Sequence, residues 1–236
     1  MQFSDPLIHG TLVRRYKRFM ADVILDSGET VIAHCPNSGS MLSVDTPGSE
    51  VWLSPASNPE RKLRYTWEII RIGDTLVGIN THRPNALVAE AVADGVIPEL
   101  AGYEITQREV KYGKNSRIDL LLEGPERPRC LVEVKNVTLK RADRPDDAVE
   151  FPDAVTQRGA KHLVELSEAA RQGDRSVMLF LVQRGDGDVF TIATDIDPNY
   201  AAALGQAVAA SVEVLCYRCH ISADAIKVTE PVTISL

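Results

Sequence analysis

The first 80 residues alternate between apolar and polar positions in short runs, which is the period of half-buried β-strands. Turn signals such as Asp26-Ser27-Gly28 and Gly73-Asp74 separate these runs. The predicted strands cover residues 7–13, 19–25, 30–34, 51–54, 63–71 and 75–80. Short strands without a helix predict a small barrel, either of the OB type or SH3-like. We assign residues 1–82 to this domain.

After Arg83-Pro84 the pattern changes to helical spacing alternating with apolar strands. Predicted helices cover residues 85–94, 153–172 and 198–211, and predicted strands cover 117–122, 130–135, 176–183 and 213–221. The run 176–183 is apolar almost throughout, as in a strand buried on both faces. The polar segment 139–150 predicts a mobile loop. Residues 83–236 are therefore predicted to form an α/β domain with a mixed sheet, which makes the chain α+β overall.

Two acidic residues lie in adjacent predicted strands of the second domain. Asp119 and Glu133 are separated by thirteen residues, and Lys135 follows Glu133 on the same face because side chains alternate along a strand. If Asp119 faces the same way, two carboxylates can hold Mg²⁺ or Mn²⁺ while Lys135 orients water or neutralises developing charge. The set fits a catalytic site that cleaves a phosphodiester of DNA or RNA.

Burial strengthens this interpretation, because an acid within Leu-Val-Glu-Val-Lys costs several kcal/mol unless something charged compensates it. The competing interpretation is that both acids are solvated residues of edge strands. Glu90, on the helix predicted at 85–94, is a candidate third metal ligand or else a surface residue. On the helix predicted at 153–172, Arg158, Lys161 and His162 share one arc that could contact phosphate or be solvated.

The net charge of −7 argues against a surface that is basic throughout, yet basic residues cluster locally. Aromatic residues interleave with two of these clusters, a pattern typical of surfaces that neutralise phosphates and stack bases. The candidate nucleic-acid-binding residues in the clusters are Arg14, Arg15, Lys17 and Arg18; Arg61 and Lys62; and Lys111, Lys114 and Arg117. Each cluster taken alone could equally be a solvated face.

The four cysteines are expected to be free thiols. Cys216 to His220 matches the C-x-x-C-H form of haem attachment, but it lies in a strand-like run, so haem is not expected. Cys35 and Cys130 are isolated, so structural zinc is not expected either. No apolar run is long enough to span a bilayer, and the first residues lack the order of a signal peptide, which predicts a cytoplasmic protein without a membrane partner.

Four segments resemble the sugar fermentation stimulation protein (SfsA) family. They are AHCPNSGSM at 33–41, YGKNSRID at 112–119, VEVKNVT at 132–138 and FPDAVTQRGAKHL at 151–163. The family form of the first segment commonly has Thr where this chain has Ser38, which keeps a hydroxyl. The segment 140–150 is longer than in several relatives.

This resemblance implies an OB-like domain joined to a domain similar to the PD-(D/E)XK nucleases. It also implies DNA rather than RNA as a partner, bound without strong sequence preference, and a link to the regulation of sugar metabolism, especially of maltose. Asp119 and Glu133 then correspond to metal-binding acids, Lys135 to the catalytic lysine, and Glu90 to the helix acid of many such nucleases. Because a fold does not establish an activity, two classes stay open: a metal-dependent nuclease and a binding-only regulator. The oligomeric state is not predicted.

Overall fold

The computed structural model describes residues 1–58, 60–112, 116–144 and 147–236. Its first six strands are β1 (Ile8–Tyr16), β2 (Met20–Leu25), β3 (Thr30–His34), β4 (Glu50–Pro55), β5 (Tyr65–Ile72) and β6 (Thr75–Gly78). They pair in the order β3-β2-β1-β4-β5-β6, and a further pairing of β3 with β5 closes five of them into a barrel. Leu12, Val23 and Trp67 fill its core. The predicted OB-like barrel is confirmed.

A helix and a 3₁₀ turn lead from the barrel into the larger sheet. They are α1 (Pro84–Ala93) and the turn Pro98–Leu100. The next strands are β7 (Ile105–Tyr112), β8 (Ser116–Glu123) and β9 (Cys130–Val137). Pro84 starts α1 because its fixed φ suits the first helical turn, where its missing N–H is not needed.

The remaining elements alternate strands with two helices. They are β10 (Leu139–Lys140), β11 (Val149–Phe151), α2 (Gln157–Arg171), β12 (Arg175–Val182), β13 (Val189–Ile192), α3 (Pro198–Ala209), β14 (Glu213–Ile221), β15 (Ile226–Pro231) and β16 (Thr233–Ser235). Side chains cap both helices: Thr156 accepts a hydrogen bond from the Gly159 N–H, and Asp197 accepts one from the Tyr200 N–H. Within the described residues, none of the helices has the length and apolar character that crossing a membrane requires.

The larger sheet has the order β15-β14-β12-β9-β8-β7, with β9, β12 and β14 parallel at its centre. Alternate residues of β12 point to opposite faces and into separate cores. Val177 and Leu179 pack toward α1, whereas Met178 and Phe180 pack toward α2 and α3. The sheet therefore separates two apolar layers, and this mixed domain following the barrel confirms the predicted α+β class.

A small sheet of order β10-β11-β13-β16 covers one end of this domain. Its hairpin pairs Leu139 with Glu150 and Lys140 with Val149. The prediction of a mobile loop across 139–150 is therefore wrong for residues 139–140 and 149–150, which form strands, whereas residues 141–144 between them are in neither a strand nor a helix. Its polar residues make internal ion pairs, and a single sequence gives no sign of those partners.

The barrel and the larger domain are joined by direct contacts. The backbone N–H of Gly78 donates to the Gln183 carbonyl over 2.9 Å, and Val77 forms an isolated bridge with Arg184. A Cβ at Gly78 would lie 2.6 Å from Gln183 Oε1, so a residue without a side chain permits this approach. The end of β6 thus rests on the segment that follows the central strand β12.

Candidate functional site

The two acidic residues meet where β8 and β9 separate. The antiparallel ladder runs from the pair Leu122 and Cys130 to the pair Leu120 and Val132. The same register places Asp119 opposite Glu133, one step beyond the last pair. There the Asp119 side chain replaces a backbone partner, because its Oδ2 accepts the Val134 N–H over 2.8 Å. The predicted hairpin brings the two acids together.

Glu133 is almost fully buried, with 3% of its side chain exposed, and two neighbours share its Oε1 atom. Lys135 Nζ donates to Oε1 over 2.6 Å, and His162 Nδ1 contacts the same oxygen. Arg158 Nε donates to His162 Nε2 over 3.3 Å. Because Nε2 accepts, the network assigns the ring proton to Nδ1, from which His162 donates to Glu133.

This network determines the charge state of Glu133. Burial alone would raise the pKa of its carboxyl, but the hydrogen bond from His162 and the charge of Lys135 outweigh burial, and the pKa lies below its ordinary value. Glu133 is therefore ionised at neutral pH. Its negative charge is held by the Lys135 ammonium and by the hydrogen bond from His162.

Asp119 is in the opposite situation. Burial, and after it the charge of Glu133, raises the pKa of its carboxyl from 3.8 to about 6. The Val134 N–H, Lys135 and Asn85 lower it, but not by enough to cancel these effects. When both acids are ionised the pair carries two negative charges, and Lys135 supplies one positive charge.

Sequence reasoning missed two residues beside Asp119. Asn85, in the first turn of α1, donates from Nδ2 to Asp119 Oδ1 over 2.8 Å and to Glu109 Oε1 over 2.6 Å. Glu109 has a φ of 55°, which non-glycine residues rarely adopt, and it interrupts the β7–β8 ladder opposite Asp119. Asn85 could have been noticed from the sequence, because it is a polar residue directly after Arg83-Pro84, where the helix was predicted to begin. Glu109 carried no signal, since its role depends on that backbone conformation.

A cleft of about 380 Å³ opens over the acids and is lined by both domains. One wall is a barrel segment, residues 37–41, which we call the barrel lip. The other wall is the start of α2, including Arg158 and His162. Lys135 and Asn85 also face this space.

The barrel lip is held from both sides. Arg15 donates to the carbonyls of Asn37, Gly39 and Ser40 over 3.0, 2.9 and 3.2 Å. From the other domain, Asp153 Oδ2 accepts the Met41 N–H over 2.9 Å, and the Asp153 carbonyl accepts the Ser40 hydroxyl over 2.6 Å. A Cβ at Gly39 would lie 2.7 Å from Asp153 Oδ2. The lip is therefore a fixed wall of the cleft.

The predicted nucleic-acid-binding residues separate into engaged and solvent-facing groups. Arg15 supports the barrel lip, Arg14 donates to Asp22 over 2.8 Å, and Arg61 donates to Thr66 over 2.9 Å. Arg158 and His162 line the cleft, whereas Lys161 is exposed and pairs with Glu165. The other exposed members are Lys17, Arg18, Lys62, Lys111 and Arg117. Lys114 lies outside the described residues.

Glu90 is placed away from the acid pair. Its carboxylate binds the N-terminal ammonium of Met1 over 2.6 Å, beside Asp94 and Lys227 on the far side of α1. Asn85, not Glu90, is the α1 residue that reaches Asp119. Glu90 was a candidate third ligand or else a surface residue. Five residues along the helix from Asn85 carry its side chain beyond the cleft, where it binds Met1.

Two family models cover most of the chain. The model described as the SfsA N-terminal OB domain matches residues 13–79, and the model described as the sugar fermentation stimulation protein RE domain matches residues 82–225. A sugar fermentation stimulation protein homolog of Rhodospirillum rubrum is 60% identical over 94% of this chain and 93% of its own. This chain belongs to the SfsA family. A homolog from Paramagnetospirillum magneticum is 57% identical over 100% of this chain and 98% of its own.

A solved SfsA structure has the same fold. It is the structure of Pyrococcus furiosus SfsA in complex with Ca²⁺, which is 26% identical, has a TM-score of 0.88 and covers 100% of this chain and 98% of that one. In this SfsA chain the second model includes Asp119, Glu133 and Lys135, and the first includes the barrel lip. The cleft is thus built from both matched regions.

Proposed function

We propose that this SfsA-family chain is a divalent-metal-dependent phosphodiesterase that acts on DNA. The observation that carries the proposal is the convergence of Asp119, Glu133 and Lys135 in one cleft. Burial, and after it the charge of Glu133, raises the pKa of Asp119 there, and Lys135 is the one cation beside the two acids in the described hydrogen-bond network. A divalent cation bound by oxygen ligands would supply further positive charge. The Pyrococcus protein was solved with Ca²⁺, a cation of this class.

The donor set fits Mg²⁺ or Mn²⁺, since both prefer carboxylate oxygens and retain water. Asp119 and Glu133 would hold the ion, which when bound would activate water and polarise the phosphate. One observation favours the binding-only alternative: within the described residues, no group of three or more His, Cys, Asp and Glu side chains is arranged to hold a metal. The remaining ligands would come from water and from the phosphate itself.

The chain's own residues have distinct roles in this proposal. Lys135 places an ammonium beside Glu133 and stabilises negative charge that develops on the phosphate. His162 donates to Glu133 and keeps that carboxylate oriented. Arg158 is exposed in the cleft and uses only its Nε in the described network, so its other N–H groups are available to a phosphate oxygen.

The test is cleavage of labelled single- and double-stranded DNA and RNA by purified protein with Mg²⁺, Mn²⁺ or EDTA. We expect cleavage of DNA in either metal, none in EDTA, and a loss of at least about 100-fold in Asp119→Ala and Lys135→Ala. Asp74→Ala and Lys227→Ala are matched controls, because both residues are exposed and lie outside the cleft.

Binding without cleavage in any metal would contradict the enzyme and favour a binding-only protein that affects sugar metabolism through occupancy of DNA. Cleavage that persists equally in Asp119→Ala and Lys135→Ala would also contradict it, since the activity would then come from elsewhere or from a contaminant.

A further inference from the structure

Three cavities meet along one path across the molecule. The cleft over the acids shares Thr81 and Asn85 with a cavity of about 600 Å³ on the α1 side. It shares Ser38, Gly39 and other residues with a cavity of about 680 Å³ on the α2 side. The two outer cavities have no lining residue in common. The order is therefore outer cavity, acid cleft, outer cavity, which we call the groove.

An arginine stands in each outer cavity. Arg108 lines the α1 side and Arg18 lines the α2 side, and both are exposed. Neither has an ion-pair partner in the part of the chain that the structure describes. This distinguishes Arg18 from Arg15, whose guanidinium binds the carbonyls of the barrel lip. Each outer cavity also holds an acid, Glu109 on the α1 side and Asp153 on the α2 side, and both already accept hydrogen bonds from the protein. The groove therefore has one of these two arginines on each side of the acid pair, where a chain of phosphates whose central member meets the acids could contact both.

The depth of the groove determines which form of nucleic acid fits it. Only 3% of the Glu133 side chain is exposed, and the barrel lip and the start of α2 wall the cleft on both sides. A cavity of about 380 Å³ is the size of a small-molecule site, comparable with one nucleotide. A duplex must place its second strand beside whichever phosphate reaches the cleft floor, so it needs more room between the two walls than a single strand does. A single strand can follow the path.

We propose that the groove binds one strand of DNA, with Arg108 and Arg18 contacting phosphates on opposite sides of the phosphodiester that lies over Asp119 and Glu133. The inference rests on the proposed function, because it names the form of substrate that the same cleft takes. Val155, which is 66% exposed in the Arg18 cavity, offers an apolar contact to a sugar or base on that side.

Binding is measured by fluorescence anisotropy with labelled oligonucleotides in EDTA, so that no strand is cut. Single strands should bind at least about tenfold more tightly than duplexes of equal length, and affinity should rise with length until the strand spans both arginines. Arg18→Ala and Arg108→Ala should each weaken binding about three- to tenfold and reduce the salt slope by about 0.7, the value for one phosphate contact on a single strand.

Arg171→Ala is the matched control, since Arg171 is exposed at the opposite end of α2 from the cleft. Arg18→Lys and Arg108→Lys retain a point charge and should keep most of the salt slope. If an alanine variant fails to fold, the corresponding Gln variant and the length series on the unaltered protein still test the groove.

Equal affinity for duplex and single strand, or wild-type affinity and salt slope in both alanine variants, would overturn the groove. The two proposals fail separately. Strand binding that depends on both arginines without cleavage in any metal keeps the groove and removes the enzyme. Metal-dependent cleavage that neither arginine affects keeps the enzyme and removes the groove.

Discussion

Glu150, which is buried, and Asp119, which is half-buried, line the same cleft and differ in how the charge of each carboxylate is compensated. Glu150 is 2% exposed and accepts two hydrogen bonds from Arg141, over 2.7 and 2.6 Å. Arg141 and Arg144 also bind Asp195, whose pKa lies well below its usual range because of the hydrogen bond from Arg141. Asp119 receives only an amide N–H and the Asn85 side chain, while the nearby lysine donates to Glu133.

The difference shows what buried acids do in this fold. An acid whose charge is matched by arginines stabilises the structure around it. Glu150 holds Arg141 and Arg144 within its own hairpin. These arginines also bind Asp195, which follows β13. An acid whose charge is matched incompletely costs stability until a cation arrives from outside. Asp119 is therefore the acid on which the proposed metal site depends.

The largest expected effect is on the free energy of unfolding and comes from removing the charge of Glu150. Glu150→Gln should lower the free energy of unfolding by about 3 kcal/mol, because it removes one partner of a buried ion pair. Asp119→Asn should change it by less than about 1 kcal/mol, since the amide can still accept the Val134 N–H. Urea denaturation in EDTA measures both, and Asp195→Asn, at the exposed partner of Arg141, is the control expected to stay within about 1 kcal/mol. If Glu150→Gln and Asp119→Asn lower the free energy of unfolding equally, the two acids do not differ in their contribution to stability.

The second effect is stabilisation of the folded protein by a divalent cation, which would supply the positive charge that the two acids lack. Mn²⁺, Mg²⁺ or Ca²⁺ at about 100 times its Kd should stabilise the folded protein by about 2.7 kcal/mol and raise its Tm by several degrees. Asp119→Asn should lose this shift because it removes a charged ligand, whereas Glu150→Gln should keep it. The measurement is thermal unfolding at pH 8 with and without each ion. A metal-induced shift that survives in Asp119→Asn would place the cation elsewhere.

The smallest effect is the dependence on pH. With a pKa of about 6 in the folded protein, against 3.8 ordinarily, Asp119 keeps its proton between these values while the unfolded chain has lost it. Unfolding then releases a proton, so the contribution of Asp119 to stability falls as pH rises from about 4 to 6 and is constant above that. The difference in Tm between wild type and Asp119→Asn in EDTA isolates this contribution. A difference that stays constant across the window would mean that the pKa of Asp119 is not raised.

Local periodicity explains why part of the site could be predicted. Alternation along a strand places Glu133 and Lys135 on one face, and a short turn between apolar runs pairs them with the strand of Asp119. The runs of basic residues gave less information, because Arg14 and Arg15 are engaged by Asp22 and by the barrel lip. Adjacent charges in a sequence do not reveal which of them meet partners in the fold.

Contacts between distant segments explain the parts that could not be predicted. Asn85 reaches Asp119 because the first turn of α1 lies beside β8. Glu109, which has an unusual φ, accepts a second hydrogen bond from the same Asn85 side chain. Glu90 was a candidate ligand because it is an acid on the helix that precedes the acidic strands. The sequence does not reveal that the first turn of this helix faces the cleft and that Glu90 lies beyond it. Arg141, the partner of Glu150, also binds Asp195, which lies 54 residues further along the chain than Arg141.

The barrel lip also limits how this protein can be divided or recombined. A gene fusion that exchanged the barrel for another OB domain would keep the acids, the lysine and the sheet, yet would lose the wall that Arg15 and Asp153 hold between them. Even a side chain at Gly39 would press against Asp153. The two regions matched by separate family models therefore form one structural unit, in which the first shapes a cavity whose acids and lysine belong to the second.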